Sequence, residues 1–441
     1  MAFSHSNVRT PLAVEVMLLV PTTIACEISQ RWGASVRAQS PYRPMGRHRR
    51  STVAKYGFTQ NETMAIDLFS YPPEREGKLH RDFLRLASDL AHGPARAILL
   101  ELEKRFNDPD GNFVEQFQTN GFDARTFELF LFAMFEDEGH SIDRSVERPD
   151  FMLSKSDLTV AVEAVTANRP GGKAVPYSPL GPDRSEEELL HHLRNDLAIK
   201  IGSPLFSKLN KRYWELPHVA GKPFVLALEC FHEDGSLGHS SAPVEQYLFG
   251  TRHTWYRDEA GQLVIVPETV REHRGYKTIP SGFFNQPDAE HISAVLFCNT
   301  GTIAKFNRMG HQRPSSKSRY VHMFRFGAAH RHDDNATMPD PFLYEVGDPE
   351  WVETWSEGTV LIHNPNALHP VPSGWFGAGA ETRLQPDGQV VATFSRDGFM
   401  PYWSHTHLIP FSVTRKQIRA WIERTAKSMQ GALRERAQPL K

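Results

Sequence analysis

The sequence predicts an α/β fold: a core over residues 121–250, followed by an additional C-terminal α+β region over 251–441. Three observations predict it. Residues 125–230 run helix, hairpin, helix, strand, the succession of a layered α/β domain. KPFVLALEC, residues 222–230, is almost wholly apolar, as a strand covered on both faces must be. RPDFMLSKSDLTVAVEAVTA, residues 148–167, reads as an antiparallel hairpin with residues alternating between two faces.

Residues 1–63 read as an extension expected to be disordered, because GRHRRST (46–52) and its proline-rich approach have linker composition; Met64 is a candidate start. PLAVEVMLLVPTTIAC (11–26) could serve as a secretory segment ending near a lipid-modified Cys26. Glu15 interrupts it and only Arg9 precedes it, which leaves an extracytoplasmic lipoprotein as the weaker alternative. Residues 64–120 form a helical segment, LHRDFLRLASDL and then ARAILLELEKRF, stopping before NDPDGN. RTFELFLFAMFEDEG predicts a helix from Arg125 to Gly139, a residue suited to end it. After the hairpin comes a Gly/Pro-rich loop, RPGGKAVPYSPLGPDR. A long polar helix follows from about Ser185, expected to break near Gly202-Ser203-Pro204 and to resume as LFSKLNKRYWEL. ISAVLFCN is a second buried strand. Short β-like runs between Pro/Gly turns then lead to a final helix, TRKQIRAWIERTAKSM.

The 441 residues are 40% hydrophobic, enough for a sizeable core. A formal net charge of -2 and a pI of ≈ 6.9 supply no global field toward nucleic acid or membrane, so an electrostatic partner must be met locally. Cys26, Cys230 and Cys298 are far apart and form no CxxC pair, which fits a reducing, cytoplasmic location and argues against a disulfide scaffold. No run of 18 or more apolar residues occurs, so no membrane partner is expected. The absence of a Walker loop, a GxSxG elbow and a dinucleotide fingerprint counts against nucleotide hydrolysis, esterase and NAD chemistry.

The hairpin carries unusual acids. With Ser156-Asp157 as a two-residue turn, 155 pairs with 158, 153 with 160 and 151 with 162, which sets Asp150 opposite Glu163. Phe151, Leu153, Val160 and Val162 then share an apolar face, while Asp150, Ser154, Thr159 and Glu163 share the other. Opposed β-carbons lie about 4.5–5.5 Å apart. Two like charges there repel by roughly 3 kcal/mol at an effective dielectric near 20. A divalent cation is the natural offset. Glu128 is a third acid, the only polar residue from Phe127 to Phe135; it needs a partner or metal unless the helix dipole favours it as an N-terminal acid.

A helix with Glu128, then Pro149-Asp150, then a strand with Glu163, then helix and strand resembles the PD-(D/E)xK nuclease superfamily, the restriction-endonuclease-like fold, over about residues 125–230. The resemblance implies an α-β-β-β-α-β mixed-sheet core and phosphodiester cleavage in nucleic acid, DNA ahead of RNA. It implies Mg²⁺ (or Mn²⁺) held by Asp150 and Glu163, with the carbonyl of Ala164 and with Glu128 as a further acid. The lysine expected two residues after the strand glutamate, which positions water and stabilises developing charge, is Val165 here. Lys200, Lys208 and Lys211 could replace it. Lys208 and Lys211 share a helix face and Lys200 precedes the expected break; Lys208 is the choice. Defence against foreign DNA follows by superfamily analogy alone, and a homodimer is compatible with it. Val165 sustains a rival, a catalytically silent nucleic-acid-binding or assembly module of the same fold. The stretches SPLFSKLNKRYWELPH, GTIAKFNRMG and HNPNALHP also resemble a family of bacterial proteins sometimes labelled "glycosaminoglycan attachment site", which implies little about activity.

Residues 292–332 hold Lys305, Arg308, Arg313, Lys317, Arg319, Arg325 and Arg331 without an acid, interleaved with Phe306, Tyr320, Phe324 and Phe326. This pattern suits a phosphate backbone, with Lys305, Arg308 and Arg313 as nucleic-acid contacts. Residues 333–357 carry eight acids and no base, so the two blocks could instead pair with each other. His363, His369, His405 and His407 could build a zinc site, but the proline-rich HNPNALHP favours a structural turn.

Overall fold

The computed structural model describes residues 7–8, 66–169, 181–182, 184–395 and 399–436. Apart from residues 7–8, the expectations for residues 1–63 lie outside these, as does most of the loop 169–184. A nine-stranded mixed sheet runs, in spatial order, Ser141–Asp143, Phe151–Lys155, Leu158–Ala167, Phe224–Cys230, Ala294–Cys298, Thr359–His363, Ala380–Leu384, Val390–Phe394 and Asn7–Val8. Its third to fifth strands, Leu158–Ala167, Phe224–Cys230 and Ala294–Cys298, are mutually parallel. The predicted mixed α/β class stands. The sheet draws strands from both sides of residue 250, since Ala294–Cys298 pairs directly with Phe224–Cys230.

Alternation along the strands builds two cores. Phe224, Leu226 and Leu228 enter one layer while Val225 and Ala227 enter the other, which is why KPFVLALEC is apolar throughout. Phe151, Leu153, Val160 and Val162 pack against Phe127, Phe130 and Phe135 of helix Phe122–Asp137. Met152, Ala161 and Val165, on the opposite face, meet Leu197, Ile201, Leu205 and Leu209 of helix Leu197–Leu209. Each such side chain contributes roughly 1.5–3 kcal/mol on burial. A separate three-stranded sheet, Asp340–Glu345, Val321–Ala329 and Pro401–Pro410, packs Phe324, Phe326 and Trp403 on Ile418 and Trp421 of helix Arg415–Arg436.

Two local expectations change. Helix Phe122–Asp137 begins three residues before Arg125. Helix Leu197–Leu209 runs unbroken through Gly202-Ser203-Pro204. Gly202 serves packing there: a β-carbon at that position would stand 2.7 Å from the Tyr247 hydroxyl. The helix is preceded by a capping box of Ser185 and Glu188 and by a π-helical turn, His192–Asp196. Tyr213–Glu215 forms a 3₁₀ turn after left-handed Arg212 (φ 51) rather than continuing the helix. No helix of the described residues is long and apolar enough to cross a membrane.

Candidate active site

The hairpin has the predicted register, Phe151 opposite Val162, Leu153 opposite Val160 and Lys155 opposite Leu158. Asp150 stands immediately before the first strand, across from Glu163. The two acids interlock through each other's backbone: Asp150 N–H donates to Glu163 Oε2 at 3.2 Å, and Ala164 N–H donates to Asp150 Oδ2 at 2.7 Å. Lys208, from the helix on that face, donates its Nζ to Glu163 Oε1.

These contacts set the electrostatics. Burial first, and the Asp150 charge second, push Glu163 up to about 8 against the pull of Lys208. Burial alone would lower the Lys208 amine, but the charge of Glu163 and its hydrogen bond outweigh burial and raise it. The Tyr213 hydroxyl is raised by burial and by Glu163. The site thus gathers two carboxylates, one ammonium and a phenol, at the edge of an apolar layer.

Glu128 occupies a different place. It sits in the second turn of its helix, buried between Arg125 and Arg144, whose Nη2 lies 3.4 Å from Glu128 Oε2. The guanidinium pair, rather than the helix dipole, is what compensates the Glu128 charge, and it engages both carboxylate oxygens. Burial and the Asp150 charge still push Glu128 up to about 7, against both arginines. Arg144 in turn donates to the Asp150 carbonyl at 3.0 Å and stacks 4.1 Å above the Phe106 ring centroid. Glu128 is thus tied to Asp150 through Arg144.

No family model, curated protein or solved structure matches the chain.

The three candidate lysines separate clearly. Lys200 shares the Lys208 helix but lies over the Tyr276 ring at 4.8 Å, and Lys211 is exposed beyond the helix end. Sequence reasoning missed Arg144, Tyr213 and Arg148, which is exposed beside Glu163 and Tyr213. Nothing in local spacing marks them, since each reaches the acids by folding rather than by periodicity.

The basic block is corrected. Lys305 and Arg308 are buried on Glu353 at 2.7 Å each, and buried Arg325 joins Glu353 and Glu357. Arg331 pairs with Asp340, and Arg313 with Glu101 at 3.1 Å. Lys305 and Arg308 therefore neutralise the following acidic block instead of facing phosphate, because an unpaired buried charge would be prohibitive. The zinc alternative at His363, His369, His405 and His407 also gives way to structure. His363 pairs with Glu381 at 3.1 Å, His407 stacks on Trp421 at 4.8 Å, and Asn364 Nδ2 pins the HNPNALHP turn to the Ala289 and Ile292 carbonyls.

Among the described residues, a separate cavity of ≈ 270 Å³ opens near the C-terminal ends of strands Phe224–Cys230 and Ala294–Cys298, lined by Asp123, Phe231, Thr300, Thr302 and His405 among others. Burial and Asp82 raise Asp123 to about 7 there.

Proposed function

We propose that this chain is a metal-dependent nuclease of the PD-(D/E)xK type, with Asp150, Glu163 and Lys208 as its catalytic residues. The observation that carries the reading is Lys208 reaching Glu163 from the following helix, opposite interlocked Asp150. It supplies at that spot the ammonium that Val165 lacks. The order of helix Phe122–Asp137, three strands, helix Leu197–Leu209 and strand Phe224–Cys230 supports a restriction-endonuclease-like core.

The acids fit a hard divalent cation. Two adjoining carboxylates, with Glu163 raised by burial and by the charge of Asp150, are the oxygen donors that Mg²⁺ prefers, and their repulsion is relieved by positive charge. Asp150 and Glu163 would hold it, and when bound the ion would acidify water and neutralise phosphate charge. Within the chain, Lys208 places a positive charge beside Glu163, where it can orient water and stabilise the five-coordinate phosphorus. Arg144, held by Glu128, fixes the Asp150 backbone; both are positioning residues. Arg148, exposed at the rim, offers a phosphate contact.

Val165 in the usual lysine position favours a second reading, a silent binding or assembly module in which Lys208–Glu163 is merely an ion pair. Labelled duplex DNA, single-stranded DNA and RNA incubated with Mg²⁺, Mn²⁺ or chelator separate the two. The nuclease reading expects metal-dependent cleavage of at least one, DNA first. Cleavage of none by folded protein would leave the silent module.

A further inference from the structure

A second constellation lies where the central strand ends, on different residues from the hairpin site. His192 opens the π-turn His192–Asp196, His232 and Glu233 follow strand Phe224–Cys230, and His239 follows the short turn Ser236–Gly238. His192 and His232 are each only 3% exposed. Both ring nitrogens of His232 and both of His239 are buried without a hydrogen-bond partner. Buried polar atoms are almost always satisfied, so a cluster this orphaned points to a missing partner.

The geometry says which kind. One ligand atom from each of His192, His232 and Glu233 lies within 4.8 Å of the other two. His192 Nε2 and Glu233 Oε1 face each other at 3.1 Å. That is about the separation of two ligands on one tetrahedral zinc ion. The His192 ring centroid stands 6.2 Å from that of His232 and 5.8 Å from that of His239. Two imidazoles on such an ion would stand about 5 Å apart, so His239, just outside the His192–His232–Glu233 group, must move inward to complete the set. Outer supports are already in place. Arg184 donates to Glu233 Oε2 at 2.9 Å, which leaves Oε1 turned to the rings, and Asp196 Oδ2 is 3.8 Å from His192 Nδ1.

We propose that His192, His232, Glu233 and His239 bind one zinc-class transition-metal ion. Three imidazole nitrogens and one carboxylate oxygen form a softer set than the oxygen donors at Asp150 and Glu163, so the two sites select different metals. With four protein ligands the site is closed and structural. It ties the π-turn, an irregularity often found at functional positions, to the segment whose Phe231, Leu237 and Gly238 wall the ≈ 270 Å³ cavity.

Full-length protein stripped with chelator and titrated with Co²⁺ tests this. One equivalent should bind with the visible absorption of a four-coordinate site; Zn²⁺ should bleach that band and excess Mg²⁺ should not. His232→Gln should abolish it, His239→Gln should weaken binding at least tenfold, and Asp150→Asn should leave it unchanged. Folded wild-type protein without the band would overturn the proposal, as would a band that survives His232→Gln, ignores His239→Gln or disappears in Asp150→Asn. Thermal unfolding covers variants that fail to fold: one equivalent of Zn²⁺ should raise the Tm of stripped wild type, and no shift would count against the site.

Discussion

Glu163→Gln keeps the shape of the side chain and removes its charge, so it separates a functional acid from a structural ion pair. In the metal-free protein burial and Asp150 hold Glu163 up at about 8, against its ordinary 4.5. That displacement amounts to about 5 kcal/mol of preference for the neutral form. A carboxyl raised in the folded state contributes stability that is complete below 4.5 and lost as pH climbs through about 8. Glutamine never incurs that loss. Urea unfolding in chelator should therefore find Glu163→Gln more stable than wild type by about 1 kcal/mol at pH 5.5, rising to about 5 kcal/mol at pH 9. The direct Coulomb repulsion between the two carboxylates, roughly 3 kcal/mol, is of the same order. A variant less stable than wild type at pH 9 would refute the reasoning, because Lys208–Glu163 would then be a net stabilising salt bridge.

Lys208→Met should lose cleavage yet retain Mg²⁺ binding by calorimetry, whereas Lys200→Ala and Lys211→Ala should retain both; loss confined to either of the latter would move the catalytic ammonium. Glu353→Gln should cost about 3–5 kcal/mol in urea unfolding, since it leaves Lys305, Arg308 and Arg325 buried with their shared anion gone. Unchanged stability would mean that Glu357 alone neutralises them. Arg148→Ala should reduce the slope of log affinity for DNA against log salt by about one contact, and an unchanged slope would remove Arg148 from the binding surface.

The hairpin was legible because a two-residue turn fixes register, and register fixes which residues face each other. KPFVLALEC and ISAVLFCN were legible because strands covered on both faces are apolar throughout. The break at Gly202-Ser203-Pro204 was misread because the glycine answers to Tyr247, a contact from another helix that local propensity does not contain. The basic block was ambiguous for a similar reason. Its partner Glu353 lies 48 residues from Lys305, and only folding shows the pair to be buried. The orphaned histidines follow no ligand spacing, since His192 and His232 approach through a π-turn and a strand end. Glu128 was visible as an anomaly, but its partner Arg144 was not, because that contact joins a helix to the residue just past the sheet's edge strand.

Nicking of supercoiled plasmid tests the central claim most directly, with wild type, Asp150→Asn and Glu163→Gln purified identically and assayed at the same Mg²⁺ concentration. The account predicts open-circle product from wild type, none in chelator, and a loss of at least a hundredfold in both variants, whose folds remain intact by circular dichroism. Nicking that survives both substitutions, or its absence from folded wild type in both Mg²⁺ and Mn²⁺, would contradict it.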